Sequence, residues 1–381
     1  MKPLHATVVG GGPSGLYFAY LLKKSSPASR VEVIEQNAPD ATFGFGVVLA
    51  DRGLERLEHA DAESYRQLIR RMHRNKNQII YHRGEAILVD STGYGGAISR
   101  LALLTVLKGV CEQVGVELRF STRVQSIPDA DLVVGADGVN SAVRTAEGSD
   151  FGLRVEKLTN WFAWYGTRAR FDTPALNFRE HRGGHFVAHY YPYSDEMGTF
   201  VAECDARTWS RLGLGAMTDD ERQRLMEEIF ADALQGQPLI SNKSIWRNFV
   251  AASTERWHSG NRVLLGDALN SAHFSIGSGT RIAMEDSIAL WEALAASATV
   301  PQALERFEHE RRPAKQKLLK AARASYLWYE RFAEKMDALA PLDFTYDFMT
   351  RTGRMDDARL RRQHPQFMKR YESCSTLPSK S

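Results

Sequence analysis

Val8–Leu22 reads VVGGGPSGLYFAYLL, and this stretch decides the fold. Gly10, Gly12 and Gly15 stand as G-x-G-x-x-G directly after the apolar run Ala6–Val9 and directly before a segment with Leu16, Ala19 and Tyr20 on one helical face. A strand must turn sharply into a helix here. Positions without side chains let the backbone touch a pyrophosphate, whose charge the helix N-terminus stabilises. Candidate contacts are Gly10, Gly12, Pro13, Ser14 and Gly15. Glu35 closes a second apolar run, Val31–Ile34. A carboxylate there accepts hydrogen bonds from both hydroxyls of an adenosine ribose and excludes a 2′-phosphate, without separating NAD from FAD.

The chain has 381 residues, 43% of them hydrophobic and 25% charged, which is ordinary for a soluble globular protein with room for two domains. No apolar run approaches a membrane span. GGGPSG interrupts the apolar N-terminal segment, which the fold needs as its first strand, so a signal peptide is not expected and the expected location is cytoplasmic. Cys111, Cys204 and Cys374 are scattered singly, which fits neither a disulfide framework nor a metal site. Neither a nucleic-acid nor a membrane partner is expected, and both monomer and homodimer stay open. The net charge of +3 is uneven: residues 351–381 hold eight Lys or Arg against three acids, so that tail is +5 and the remainder −2. The tail is either a solvated surface segment or a holder for an anionic ligand.

After the first β-α-β unit, Ala41–Leu57 reads ATFGFGVVLADRGLERL, a glycine-bearing turn that makes Val48 and Arg52 candidate cofactor contacts. Gln78–Val89 alternates around Arg83 and Gly84 as a hairpin. Ser99 caps a helix to Val114, with Arg100 in its first turn placed to clamp phosphate or flavin oxygens, and Val124 offers backbone groups to adenine. Asp131–Arg144, DLVVGADGVNSAVR, carries a buried strand into D-G-x-x-S-x-x-R. Asp137 and Gly138 lie near the pyrophosphate, and Arg144 either braces the loop or meets a nicotinamide cofactor. From Trp161 to Glu203, aromatic and β-branched residues alternate as strands, and a sheet carrying Tyr165, His189, Tyr191 and Tyr193 would roof an aromatic pocket. Thr218–Leu234 reads as one surface helix. Asn261–Leu294 delivers Gly266 and Asp267 at a strand end, for ribityl hydroxyls, then Gly277, Gly279 and Thr280 at a helix start that aims N–H groups outward.

The glycine motif, the D-G motif and the G-D motif at Gly266 and Asp267, in this order and spacing, resemble the single-component FAD-dependent aromatic hydroxylases of the p-hydroxybenzoate hydroxylase type. The resemblance spans nearly the whole chain. FGFGVVLAD, WYGTR, QPLISN, AHFSIGSGT and FTYDFMTRTGR resemble the branch acting on salicylyl-CoA and 2-aminobenzoyl-CoA. WYGT, YSDEMGTF, WRNF and HFSIG also resemble the tryptophan hydroxylase of violacein biosynthesis. Asn270 and Ser275 depart from the wider family's histidine and proline. A reductase half like that of the aminobenzoyl-CoA enzyme is not seen, which favours simple hydroxylation.

The resemblance implies an α/β fold. A Rossmann-like, glutathione-reductase-like FAD domain takes residues 1–155 and 258–325, a mainly β substrate domain 156–257 is inserted, and a C-terminal helical segment with the basic tail spans 326–381. It also implies that NADH or NADPH reduces FAD, that O2 then gives a flavin hydroperoxide, and that an electron-rich ring is hydroxylated. The substrate expected is a small aromatic molecule, first an aryl-CoA thioester and second an indole or tryptophan derivative. A base for the ring hydroxyl or amine would come from His189, His273, Tyr191 or Tyr193. A flavin halogenase is disfavoured because Trp161 and Trp164 lack the W-x-W-x-I-P spacing. A flavin reductase or dehydrogenase, and a non-catalytic FAD-binding regulator, remain as alternatives.

Overall fold

The computed structural model describes residues 2–42, 44–50, 54–277 and 279–375. Its first sheet has six strands, in the order His258–Ser259, Arg262–Leu264, Leu132–Gly135, His5–Val9, Arg30–Ile34 and Glu117–Arg119. All pairs are parallel except the first. The central strands are short unbroken apolar runs, as a sheet covered on both faces requires, and Ala6, Val8, Val33, Leu132 and Val134 are buried. The helix Pro13–Ser25 packs against Arg100–Val114 and Gly279–Ala295. Residues from both ends of the chain therefore build one core.

The second sheet is larger and antiparallel for the most part. Its main path runs Leu239–Ile240, Leu153–Thr167, Gly198–Cys204, Gly184–Pro192, Ala175–His181, Gln78–His82 and Glu85–Val89, with Arg247–Thr254 also paired to Leu153–Thr167. The hairpin turns at Arg83 (φ 50°) and Gly84 (φ 78°), and its first strand joins the sheet parallel to Ala175–His181. Thus the hairpin joins the sheet through Gln78–His82, which pairs with a strand almost a hundred residues further on. A small third sheet joins Gly46–Ala50, Gly95–Ser99 and His73–Asn75.

Period-2 alternation gives the large sheet two different faces. Ala163, Tyr165, Ala188, Tyr190, Phe200 and Ala202 point into a core with Leu225, Met226 and Phe230 of the segment 219–234. Tyr165 donates no pocket surface: its hydroxyl accepts from Trp246 Nε1 at 3.0 Å inside that core, so it faces away from His189 and Tyr191. The segment 218–234 is also two helices, Asp219–Ile229 and Ala231–Leu234, because fully buried Phe230 leaves helical geometry (φ −113°, ψ 27°). On the other face, Leu176, Phe178 and Val187 meet Trp328, Phe332, Phe344 and Phe348 of the C-terminal helices.

The basic tail is docked rather than freely solvated. Leu360, Phe367 and Met368 are buried, and Asp90 accepts from Gln366 N (3.1 Å) and Phe367 N (2.9 Å) at the start of the helix Pro365–Ser375. The 30-residue helix Val300–Tyr329 docks on Gly279–Ala295 through fully buried Lys315, which meets Asp286 at 2.5 Å, and Arg311, which meets Asp286 and Glu285 at 2.9 Å each. Such buried charges persist only when paired.

Candidate active site

The turn after the first strand leaves an opening made by backbone. Gly10 has φ +108°, and a Cβ there would lie 2.4 Å from Ala136 O; one at Gly15 would lie 2.0 Å from Gly10 O. At Gly12, by contrast, a Cβ would meet only Ala136 O at 4.0 Å. Two glycines therefore close the protein's own packing and one borders open space. Gly12 is the N-cap of the helix Pro13–Ser25, and no side chain caps it, so the first-turn N–H groups near Ser14 stay available to an anion. Glu35 Oε2 accepts from Gly11 N at 2.7 Å while Oε1 accepts from Asn37 N and Nδ2, which fixes the carboxylate at the rim of that opening.

Asp137 Oδ2 accepts from Ala142 N at 2.6 Å, whereas its Oδ1 is buried with no partner among the described residues. Gly138 follows with φ +78°. Gly266 needs its glycine, since φ is +56° and a Cβ would sit 2.9 Å from Ser14 Oγ. Asp267 is reached by solvent yet so enclosed by protein that burial raises its carboxyl pKa, against the pull of Lys315 and Arg100. Burial lowers the pKa of Arg100, whose buried Nε has no partner among the described residues. These orphaned groups, the uncapped helix and the open side of Gly12 suit a flavin dinucleotide, the cofactor that the motifs imply.

Other expected contacts divide. Val48 lies beside Gly277, where a Cβ would come within 3.7 Å of its side chain, and half-buried Gly279 and Thr280 start the next helix. Val124 packs against the core around the first sheet. Arg144 is a brace: its guanidinium donates to Ala268 O at 2.6 Å and to Val139 O, so it does not reach out to a nicotinamide cofactor. Arg52 lies outside the described residues.

The side expected to receive the substrate is built from side chains. Phe274 packs on Trp164 (5.2 Å between centroids) and Phe162 (4.7 Å), and His273 stacks on Phe274 at 4.2 Å. His189 lies beside Tyr191 at 5.1 Å. The Tyr191 hydroxyl donates to Gly46 O at 3.0 Å, and Gly46 N donates to Thr199 Oγ1 at 2.8 Å, so this tyrosine ties the small sheet to the large one and its proton is already placed. Tyr193 presses on Gly46, where a Cβ would be 2.6 Å from its ring, and burial raises its pKa.

Arg351 is the residue the sequence hid. It opens the basic tail in sequence, but its guanidinium lies 3.7 Å from the Phe348 ring centroid and donates to Ser325 Oγ (2.9 Å), Phe348 O (2.7 Å) and Ser275 O (2.9 Å). Among the described residues it has no carboxylate partner. Burial, then the charge of Arg351, pushes His189 down to about 4 and His273 to about 3, so both are neutral at pH 7. His273 Nδ1 accepts from Ser275 N at 3.2 Å, which leaves its proton on Nε2. Glu203, which accepts from Asn160 Nδ2 at 2.7 Å, is pushed up to about 8 by burial and is neutral at pH 7 as well. Arg351 is therefore the net charge of this cluster, and only the aromatic motifs WYGT and HFSIG hinted at the wall around it.

Comparison with known proteins gives the family and the fold. A profile for an FAD binding domain matches residues 128–322, and one for an NAD(P)-binding Rossmann-like domain matches residues 8–39. The chain is 41% identical to salicyloyl-CoA 5-hydroxylase of a Streptomyces species over 360 residues, covering 90% of this chain and 69% of that protein. It is 35% identical to protodeoxyviolaceinate monooxygenase of Chromobacterium violaceum, over 90% of this chain and 93% of that one. It is 32% identical to 3-hydroxy-4-methyl-anthranilyl-[aryl-carrier protein] 5-monooxygenase of Streptosporangium sibiricum, over 86% and 89%. In fold it is similar to 2-methyl-3-hydroxypyridine-5-carboxylic acid oxygenase, with TM-score 0.70 and 18% identity over 94% of this chain and 96% of that chain.

Proposed function

The chain belongs to the FAD-dependent aromatic monooxygenases, and from that premise we propose that it hydroxylates an electron-rich aryl group carried as a coenzyme A thioester. The observation that carries the proposal is the buried guanidinium of Arg351, without a carboxylate partner among the described residues and set against Phe348, in a chain 41% identical to a salicyloyl-CoA hydroxylase. Bound FAD, reduced by NAD(P)H, supplies the oxygen activation and transfer. Gly12, Ser14, Glu35, Asp137 and Asp267 would hold it, with Gly10 and Gly266 shaping the turns behind them, from a unit made of residues 1–155, less the hairpin 78–89, and 258–325. Residues 156–257 supply the substrate sheet together with the hairpin 78–89.

The remaining roles follow from the chain's own groups. N–H groups at Gly279 and Thr280, with the helix dipole behind them, face negative charge in the cleft without reorganising. Trp164, Phe274 and Phe162 exclude water and stack on the ring. Arg351 takes a carbonyl or ring oxygen of the substrate. Neutral His189 accepts a hydrogen bond from the ring hydroxyl or amine, and its low pKa makes it an orienting acceptor rather than a proton store.

The test is steady-state NAD(P)H oxidation with product analysis on salicylyl-CoA, 2-aminobenzoyl-CoA, their free acids and indole carboxylates. Thioesters are expected to couple oxidation to hydroxylation. Equal coupling with free acids or indoles would remove coenzyme A from the proposal. An indole-derived substrate is the second reading, supported by the 35% identity to protodeoxyviolaceinate monooxygenase over nearly its full length.

A further inference from the structure

The C-terminal basic residues do not act as one group. Arg361 pairs with Glu372 at 2.7 Å, and Arg351 is anchored by Ser325, Phe348 and Ser275 at the proposed substrate face, with N–H groups remaining there for a ligand. Arg354 is different: its guanidinium has neither a carboxylate nor a hydrogen-bond acceptor among the described residues. Its charged surroundings are other arginines, since burial first and then Arg281 and Arg359 push its pKa down. Arg359 donates to the Arg354 carbonyl, which holds the two residues together. The nearby acids are occupied elsewhere, Asp356 capping Arg359 N at 2.8 Å and Asp357 accepting from Tyr346 Oη at 2.6 Å.

Arg281 completes the cluster from the first turn of the helix Gly279–Ala295. Its partner Glu285 is shared with Arg311, and its Nε is buried with no partner among the described residues. The Arg351–Ser275 bond clamps the tail against the loop that leads into this helix, so the cluster borders the candidate active site. Like charges gathered in this way repel unless an anion joins them, and planar guanidinium groups bind phosphate oxygens in pairs.

We propose that Arg281, Arg354 and Arg359 form a subsite for the diphosphate of a nucleotide ligand. Besides FAD, whose pyrophosphate has its own place at the uncapped helix behind Gly12, two molecules in the reaction carry that group: the coenzyme A of the substrate and the nicotinamide dinucleotide. The first source rests on the thioester reading above; the second does not. The diphosphate spans guanidinium groups at the entrance while the reactive end of the ligand lies inside.

The experiment uses the FAD-loaded protein and the variants Arg354→Ala, Arg359→Ala, the double variant, Arg354→Lys and the tail control Arg362→Ala. KM for salicylyl-CoA and for NAD(P)H is measured beside calorimetric Kd for coenzyme A and for NADH at two salt concentrations, with a melting curve for each variant. The double variant should raise KM and Kd for one nucleotide about tenfold or more, flatten its salt dependence and leave kcat within about twofold. Arg354→Lys should recover part of the loss, and Arg362→Ala should change neither constant. A rise confined to the thioester and coenzyme A assigns the subsite to the substrate, and one confined to NAD(P)H assigns it to the reductant. Unchanged KM and Kd for both in a normally melting double variant overturns the proposal. If the parent protein turns over no thioester, the thioester reading fails, and the NADH Kd still decides the subsite.

Discussion

At the dinucleotide end of the cleft the chain makes room with backbone, and at the substrate face it fills space with side chains from distant segments. Gly10, Gly15 and Gly266 are fixed because a Cβ at any of them would fall within 2.9 Å of a neighbouring atom. The proposed substrate face gathers Trp164 and His189 from two strands, Phe274 from a helical turn and Arg351 from the end of a helix, positions that differ along the chain by almost two hundred residues. A backbone site tolerates one residue type at each key point. A side-chain site tolerates many, and its members depend on how the tail is folded back.

The largest effect should separate two glycines in one motif. Gly10→Ala strains φ and collides with Ala136, which costs about 3 kcal/mol or more and should leave little folded protein. Gly12→Ala meets only open space and should melt normally without cofactor, while weakening FAD by at least about tenfold, as read by fluorescence titration. Equal behaviour of the two would break the distinction between packing glycine and ligand glycine.

Next, Arg351→Met should lower kcat/KM by about ten- to a hundredfold, and it should raise the pKa values of His189 and His273. Both histidines should stay below their ordinary value of 6.5, because burial is the larger cause of each shift. Histidine ring titration by NMR checks this, and unmoved values would detach Arg351 from the substrate face. Asp267→Ala should weaken FAD about tenfold, with an unchanged affinity taking Asp267 out of the cofactor site.

The smallest effect is on stability. Glu203 titrates near 8 in the folded protein and near its ordinary 4.5 when unfolded, so the folded state holds the proton more tightly. The contribution of Glu203 to stability is therefore full below about pH 4.5 and is lost as pH rises to about 8. Glu203→Gln cannot ionise, and its melting temperature relative to the parent should be higher at pH 9 than at pH 5. A pH-independent difference would show that Glu203 is ionised at neutral pH.

The contrast between the two regions also explains what the sequence disclosed. The strand-turn-helix at Val8–Leu22, the acid at Glu35 and the glycine–aspartate pair at 266–267 are local patterns imposed by local sterics, and they were legible before any fold was known. So was the hairpin at Arg83–Gly84, although its pairing with Ala175–His181 was not, because register between distant strands leaves no local mark. Tyr165 and Tyr191 sit in equally aromatic strands, and only the pairing of each strand decides that one faces the core and the other the cleft. Arg351 looked like any tail arginine until Ser275 and Phe348 were found against it. Arg144 offered two readings, and its bond to Ala268 O chose the brace.

The proposed activity is transfer of oxygen to an aryl thioester in this cleft. The most direct measurement is turnover of salicylyl-CoA and 2-aminobenzoyl-CoA under isotopically labelled O2 with NAD(P)H, followed by mass analysis of the thioester product. A hydroxylated thioester carrying one labelled oxygen atom is the predicted result. Hydrogen peroxide formed in step with NAD(P)H oxidation, with no labelled thioester product, would contradict it.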